Sequence, residues 1–153
     1  MFGLGHVLAI IGAGLCVALP GLGSALAVSK AGQTVAGVTA EQPKSFRNAF
    51  LLHVFPATNG LYGFVGGIMI IQKIWVGGAP ADVTTQYGWG LLLASLPLAI
   101  VGFLSALYQS SVARASIQLV AKRPGSFVSG LMITGIVEMY CILAMVVTIL
   151  LIG

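Results

Sequence analysis

Apolar residues run through this chain in four long blocks, interrupted by three short polar stretches. The blocks cover about residues 4–38, 46–75, 88–121 and 128–152. Each exceeds the ~20 residues a helix needs to cross a hydrocarbon layer. Lipid offers backbone groups no water, so an open spanning segment must be helical. The interruptions are TAEQPKSF (39–46), VGGAPADVTTQY (76–87) and AKRPGSF (121–127), where Gly, Pro and charged residues break the pattern. The prediction is an all-α membrane protein: four transmembrane helices in two tandem hairpins, residues 1–80 and 81–153. At 1.5 Å per residue the third block would be ~50 Å long, so it must project past a ~30 Å core.

The two hairpins resemble each other. A shift of 81 residues aligns TAEQPKSF with VAKRPGSF, and ten of 29 positions are identical between 18–46 and 99–127. The same shift sets Ala57 opposite Glu138 and Val28 opposite Gln109. A duplicated unit in parallel orientation fits this pattern, with a carboxylate and an amide present only in the second copy. The first block is rich in small residues, among them Gly12, Gly14, Gly21, Gly23, Ala25, Ser29, Gly32 and Ala36. Helix association in lipid depends on such close approach, so this helix is expected in a crowded inner layer.

Composition sharpens the class. Mean hydropathy is +1.06 and only 7% of residues are charged, against roughly 25% in soluble domains. In 153 residues four spans leave no room for a nucleotide-binding domain, and no phosphate-cradling Gly-Lys-Ser/Thr loop is present. The net charge of +4 does not indicate nucleic acid, because the basic residues flank membrane helices. Six of the seven (Lys30, Lys44, Arg47, Arg114, Lys122, Arg123) flank the first and third loops. The positive-inside rule predicts loops 39–46 and 121–127 in the cytoplasm and both termini outside. The N-terminus lacks a basic region, so no cleaved signal peptide is expected. Cys16 and Cys141 are expected as buried small hydrophobes. His6 is expected at the interface and His53 as a packed residue, neither at metal-ligand spacing.

Glu138 is the only charged residue in 128–152 and lies near its middle. A charge at that depth costs ~3 kcal/mol on insertion scales. It persists if it is protonated, paired or coordinating a cation. Counting from the cytoplasmic ends puts Glu138 ~15 Å deep, and Gln109 and Thr58 ~18 Å deep. Thr58 and Tyr62 are four apart on one helix face, with Asn59 at its edge. Pro56 has no N–H, which should free the Leu52 carbonyl and loosen the turn; a simple kink of a membrane helix is the alternative of equal weight. A carboxylate, a hydroxyl, two amides and a loosened backbone form an all-oxygen set suited to a hard cation. A proton site needs only the acid and one acceptor, which would leave Gln109, Thr58 and Asn59 as surplus polar groups. That surplus favours Na⁺ over H⁺.

The segments GSALAVSKAGQ, PATNGLYGF, SLPLAIVGFLSALYQ and VEMYCIL resemble the membrane rotor subunit of V-type ATPases, the K or c proteolipid, and in particular bacterial Na⁺-translocating members. The similarity spans essentially the whole chain. It implies a homo-oligomeric ring of four-helix protomers in the membrane, expected to be a bacterial plasma membrane. The ring turns against a stator subunit bearing a basic residue opposite the glutamate. Central-stalk contacts fall on the cytoplasmic loops, and ATP is hydrolysed elsewhere in the complex, so the chain would be no enzyme by itself. The resemblance further implies Na⁺ held by Glu138, Gln109, Thr58, Asn59 and the Phe55 carbonyl just before Pro56, with Tyr62 locking the glutamate. Asn59 stands where the family has glutamine, one methylene longer. A small proton-coupled exporter carrying H⁺ on Glu138 is the alternative, but its cavity should be aromatic, and only Tyr140 neighbours the acid in sequence. A pore-forming proteolipid without ion coupling is a third reading.

Overall fold

A computed structural model of the chain describes residues 3–76 and 79–153. Among these, four helical spans are long and apolar enough to cross a membrane. The first is α1, Leu4–Glu41, closed by a 3₁₀ turn at Pro43–Ser45. The second is broken: α2 (Phe46–Val54) and α3 (Thr58–Ile74) are joined by a 3₁₀ turn at Phe55–Ala57. A short antiparallel pair, β1 (Trp75–Val76) with β2 (Ala79–Pro80), occupies the second loop, whose residues 77–78 lie outside the described residues. The third span is α4, Thr85–Lys122, followed by a 3₁₀ turn at Pro124–Ser126 and by α5, Phe127–Ile152.

α1 ends later, α4 begins earlier and ends later, and α5 begins one residue earlier than hydropathy alone predicts. Thr84 caps α4 by accepting from the Tyr87 N–H at 3.3 Å, so the helix starts inside the polar stretch 76–87. α1 and α4 each have 38 residues, about 57 Å at 1.5 Å per residue.

α1 and α4 form the spine of the fold, and their contact is set by missing side chains. A methyl group on Gly23 would lie 2.8 Å from the Phe103 carbonyl oxygen and 3.2 Å from the Ala106 methyl. One on Gly12 would lie 2.9 Å from the Leu92 Cα. With apolar lipid as solvent, such close backbone approach is what holds helices together. Two buried apolar clusters result. One contains Ala31, Val35, Leu52, Ile117 and Val120; the other contains Cys16, Ile70, Leu98 and Cys141. Along the helices, the polar residues Ser24, Asn59, Ser105, Gln109 and Ser110 fall between them and are all buried.

Both cysteines are buried and unbridged. His6 is buried at the start of α1, and its Nε2 donates to the Ala81 carbonyl at 2.9 Å, tying that end of the helix to the second loop. His53 packs beside the Phe50 ring, with centroids 5.7 Å apart.

Candidate cation site

The polar layer is built around the break in the second span. Pro56 cannot donate to the carbonyl four residues back, but the outcome is not the single freed Leu52 carbonyl that simple helix geometry suggests. The backbone tightens to a 3₁₀ turn, and the Thr58 N–H bonds to the Phe55 carbonyl. The Thr58 hydroxyl donates to the same carbonyl oxygen at 2.7 Å. One turn on, the Pro56 carbonyl and the Gly60 N–H would bond each other in a regular helix. Instead the Ser24 hydroxyl of α1 stands between them, donating to Pro56 O at 2.8 Å and accepting from Gly60 N at 2.8 Å. A side chain inserted into the backbone ladder is a recognised cause of kinks.

The displaced turn presents its side chains to the second hairpin. Asn59 Nδ2 donates to Gln109 Oε1 at 2.6 Å, and both side chains are fully buried, at 0% exposure. Gln109 Nε2 donates in turn to the Thr134 carbonyl at 3.4 Å. The Tyr62 hydroxyl donates to Glu138 Oε1 at 2.6 Å, and Thr58 is a further polar neighbour of that hydroxyl. Glu138 itself is half-buried. Asn59 Oδ1 is buried and has no hydrogen-bond partner among the described residues.

The predicted residues therefore meet in three linked contacts: Thr58 with the Phe55 carbonyl, Asn59 with Gln109, and Tyr62 with Glu138. Acceptors outnumber donors there. An unpartnered buried amide oxygen is costly unless something electropositive faces it. The set carries one negative charge and otherwise neutral oxygens, which matches a monovalent cation better than a divalent one. Among the described residues no group of three His, Cys, Asp or Glu could hold a metal. Ser24, Ser105 and Thr134 support the layer but carry no obvious chemical signature; Ser24 and Ser105 are identities in the internal repeat, and that was their only trace in the sequence.

The family model for the C subunit of ATP synthase matches this chain twice, at residues 11–70 and 92–151. The two matches are offset by 81 residues, as the internal repeat is. The chain belongs to this family of ATP synthase rotor proteolipids. Among curated proteins, the proteolipid is similar to the V-type sodium ATPase subunit K of Enterococcus hirae, with 36% identity over 148 residues, covering 97% of this chain and 92% of that one. It is also similar to the A-type ATP synthase subunit K of Methanocaldococcus jannaschii, with 32% identity over 145 residues, covering 95% of this chain and 61% of that one. These likenesses make it a proteolipid of the V-type K/c kind and an integral membrane protein.

Proposed function

We propose that this chain is a rotor-ring protomer that carries Na⁺ on Glu138 while partner subunits of a rotary ATPase hydrolyse ATP. The observation that carries the reading is the acceptor-rich cluster: the Tyr62-bound carboxylate, the buried Asn59–Gln109 pair with its unpartnered oxygen, and the Phe55 carbonyl beside the Thr58 hydroxyl. The similarity to a subunit K of a sodium ATPase supports the choice of ion. Glu138 supplies the charge, the neutral oxygens replace the hydration shell, and Tyr62 holds the carboxylate toward the site. With Na⁺ bound the site is neutral and can face lipid. Emptied, it is a carboxylate whose exposure there costs ~3 kcal/mol, so release must occur opposite a basic residue of a stator. In this reading, 1–80 and 81–153 are copies of one ancestral hairpin, and only the second kept the acid.

Carbodiimide labelling tests the ion. The reagent attacks only a protonated carboxyl, which bound Na⁺ excludes. Na⁺ should therefore protect Glu138, more Na⁺ should be needed as pH falls, and Glu138→Gln should label at background. If high Na⁺ never protects while pH alone controls labelling, the carried ion is H⁺.

The charge asymmetry of the loops supports an orientation with loops 39–46 and 121–127 cytoplasmic, and the similarity to a bacterial subunit K supports a bacterial plasma membrane. In intact cells, Asp82→Cys should react with an impermeant thiol reagent and Lys122→Cys should not. The reverse pattern would invert the topology.

A further inference from the structure

Asn59, Gln109 and Thr134 link α3, α4 and α5 through side chains that are fully buried. None of the three recurs in the other hairpin: under the 81-residue shift they fall on Tyr140, Val28 and His53. Solvent reaches none of them, so their polar atoms must be satisfied by one another or by something bound.

The direction of this relay is fixed at one end. The Thr134 carbonyl can only accept, and the ladder of α5 already brings it the Glu138 N–H four residues on. The end of Gln109 that faces it must therefore donate, and Nε2 does so at 3.4 Å. That turns Gln109 Oε1 toward Asn59, which answers with its Nδ2 at 2.6 Å. Asn59 Oδ1 is then left over, buried and without a partner among the described residues. Turning both amides over would set the Gln109 oxygen against the Thr134 carbonyl and leave the Asn59 NH2 group unmatched. A backbone carbonyl in the turn that carries Glu138 thus dictates, through Gln109, which end of Asn59 is free. That end is an oxygen.

We infer that Gln109 is a positioning residue: it locks the Asn59 amide with Oδ1 available to the ion, and Asn59 alone of the two gives the ligand oxygen. Within the Na⁺-carrier reading, on which this rests, the division follows from what each atom already does. Both polar atoms of Gln109 are committed to protein partners. Oδ1 of Asn59 is committed to nothing, and the cost of burying it bare is removed when a cation takes it. Without the lock the Asn59 amide is free to turn its electropositive NH2 end toward the ion, and every bound cation must first turn it back.

Carbodiimide labelling of Glu138 in the full-length protein, at fixed pH and with Na⁺ or Li⁺ as protectant, tests this. Asn59→Leu should raise the Na⁺ needed for half-protection by about tenfold or more, the loss of one oxygen facing a charge. It should also change the Na⁺-to-Li⁺ preference, because the ligand set itself has changed. Gln109→Leu should weaken protection by both ions by one common factor and leave the preference as in the wild type, because the same oxygens bind once the amide is turned. In the double variant the loss should be no larger than in Asn59→Leu alone, since a residue that acts only through Asn59 has nothing left to act on. Losses that multiply in the double variant, or a changed preference in Gln109→Leu, would make Gln109 a ligand in its own right and overturn the inference. If the leucine pair gives no intact protein, Asn59→Ala with Gln109→Met closes the same cycle. A wild-type chain that neither ion protects would overturn the sodium reading, and this inference with it.

Discussion

The two hairpins share a skeleton and differ where ion chemistry is expected. Their first helices have equal length, and each ends in a cap of nearly the same torsion: Gln42 at φ −136° and ψ 79°, Arg123 at φ −138° and ψ 86°. Matching 3₁₀ turns follow at Pro43–Ser45 and Pro124–Ser126. The second spans then diverge. In hairpin two, α5 is continuous over 26 residues; in hairpin one the helix breaks at Phe55–Ala57. The substitutions cluster there: Pro56 against Val137, Ala57 against Glu138, Asn59 against Tyr140, Tyr62 against Leu143 and, on the partner helix, Val28 against Gln109. One hairpin keeps the charge and an amide. The other keeps the disturbed backbone, the hydroxyls and the second amide. Neither holds the full polar set, and hydrogen bonds from Asn59 to Gln109 and from Tyr62 to Glu138 join the two; in the proposed function they make one site from two halves.

Exchanging the halves should have the largest effect. Glu138→Ala combined with Ala57→Glu moves the carboxylate to its shifted position, in the broken turn of the hairpin that has Val28 where the other has Gln109. Ion transport should fall to background; recovery of substantial transport would mean that the hairpins are interchangeable. Restoring the regular helix should have an intermediate effect. Pro56→Ala lets the second span resemble α5 and returns the Phe55 carbonyl to the helix ladder. Na⁺ protection of Glu138 should weaken by about tenfold, or ~1.4 kcal/mol. Unchanged protection would remove that carbonyl from the ligand set. The smallest effect concerns the paired serines. Interhelical hydrogen bonds in membranes average roughly 0.6 kcal/mol, so Ser24→Ala, losing two, should cost ~1.2 kcal/mol in detergent unfolding and Ser105→Ala, losing one, about half that. Equal costs would show that the Ser24 bridge adds nothing to a single bond.

Spans, hairpins and the repeat are legible in the sequence because lipid enforces helices and hydropathy marks their extent. Counting residues brings Glu138, Gln109 and Thr58 to about one depth, since rise per residue converts position to depth; the pairing of Tyr62 with Glu138 is what the family resemblance implies. The shape of the break is not legible. Pro56 announces a disturbance, but the 3₁₀ turn and the Ser24 bridge depend on which helix lies alongside. The same limit applies to His6, whose partner, the Ala81 carbonyl, is 75 residues away. The family resemblance supplies the Phe55 carbonyl as a ligand, which helix geometry alone assigns to Leu52.

In the proposed function, a single carboxylate for four transmembrane helices also sets a gear ratio. A rotor of given circumference built from these protomers takes half as many ions through one revolution as one with an acid on every hairpin. The work of one ATP is then divided among fewer ions, and each can be driven up a steeper gradient. The Ala57 methyl, where a second acid would stand, trades flux for thrust.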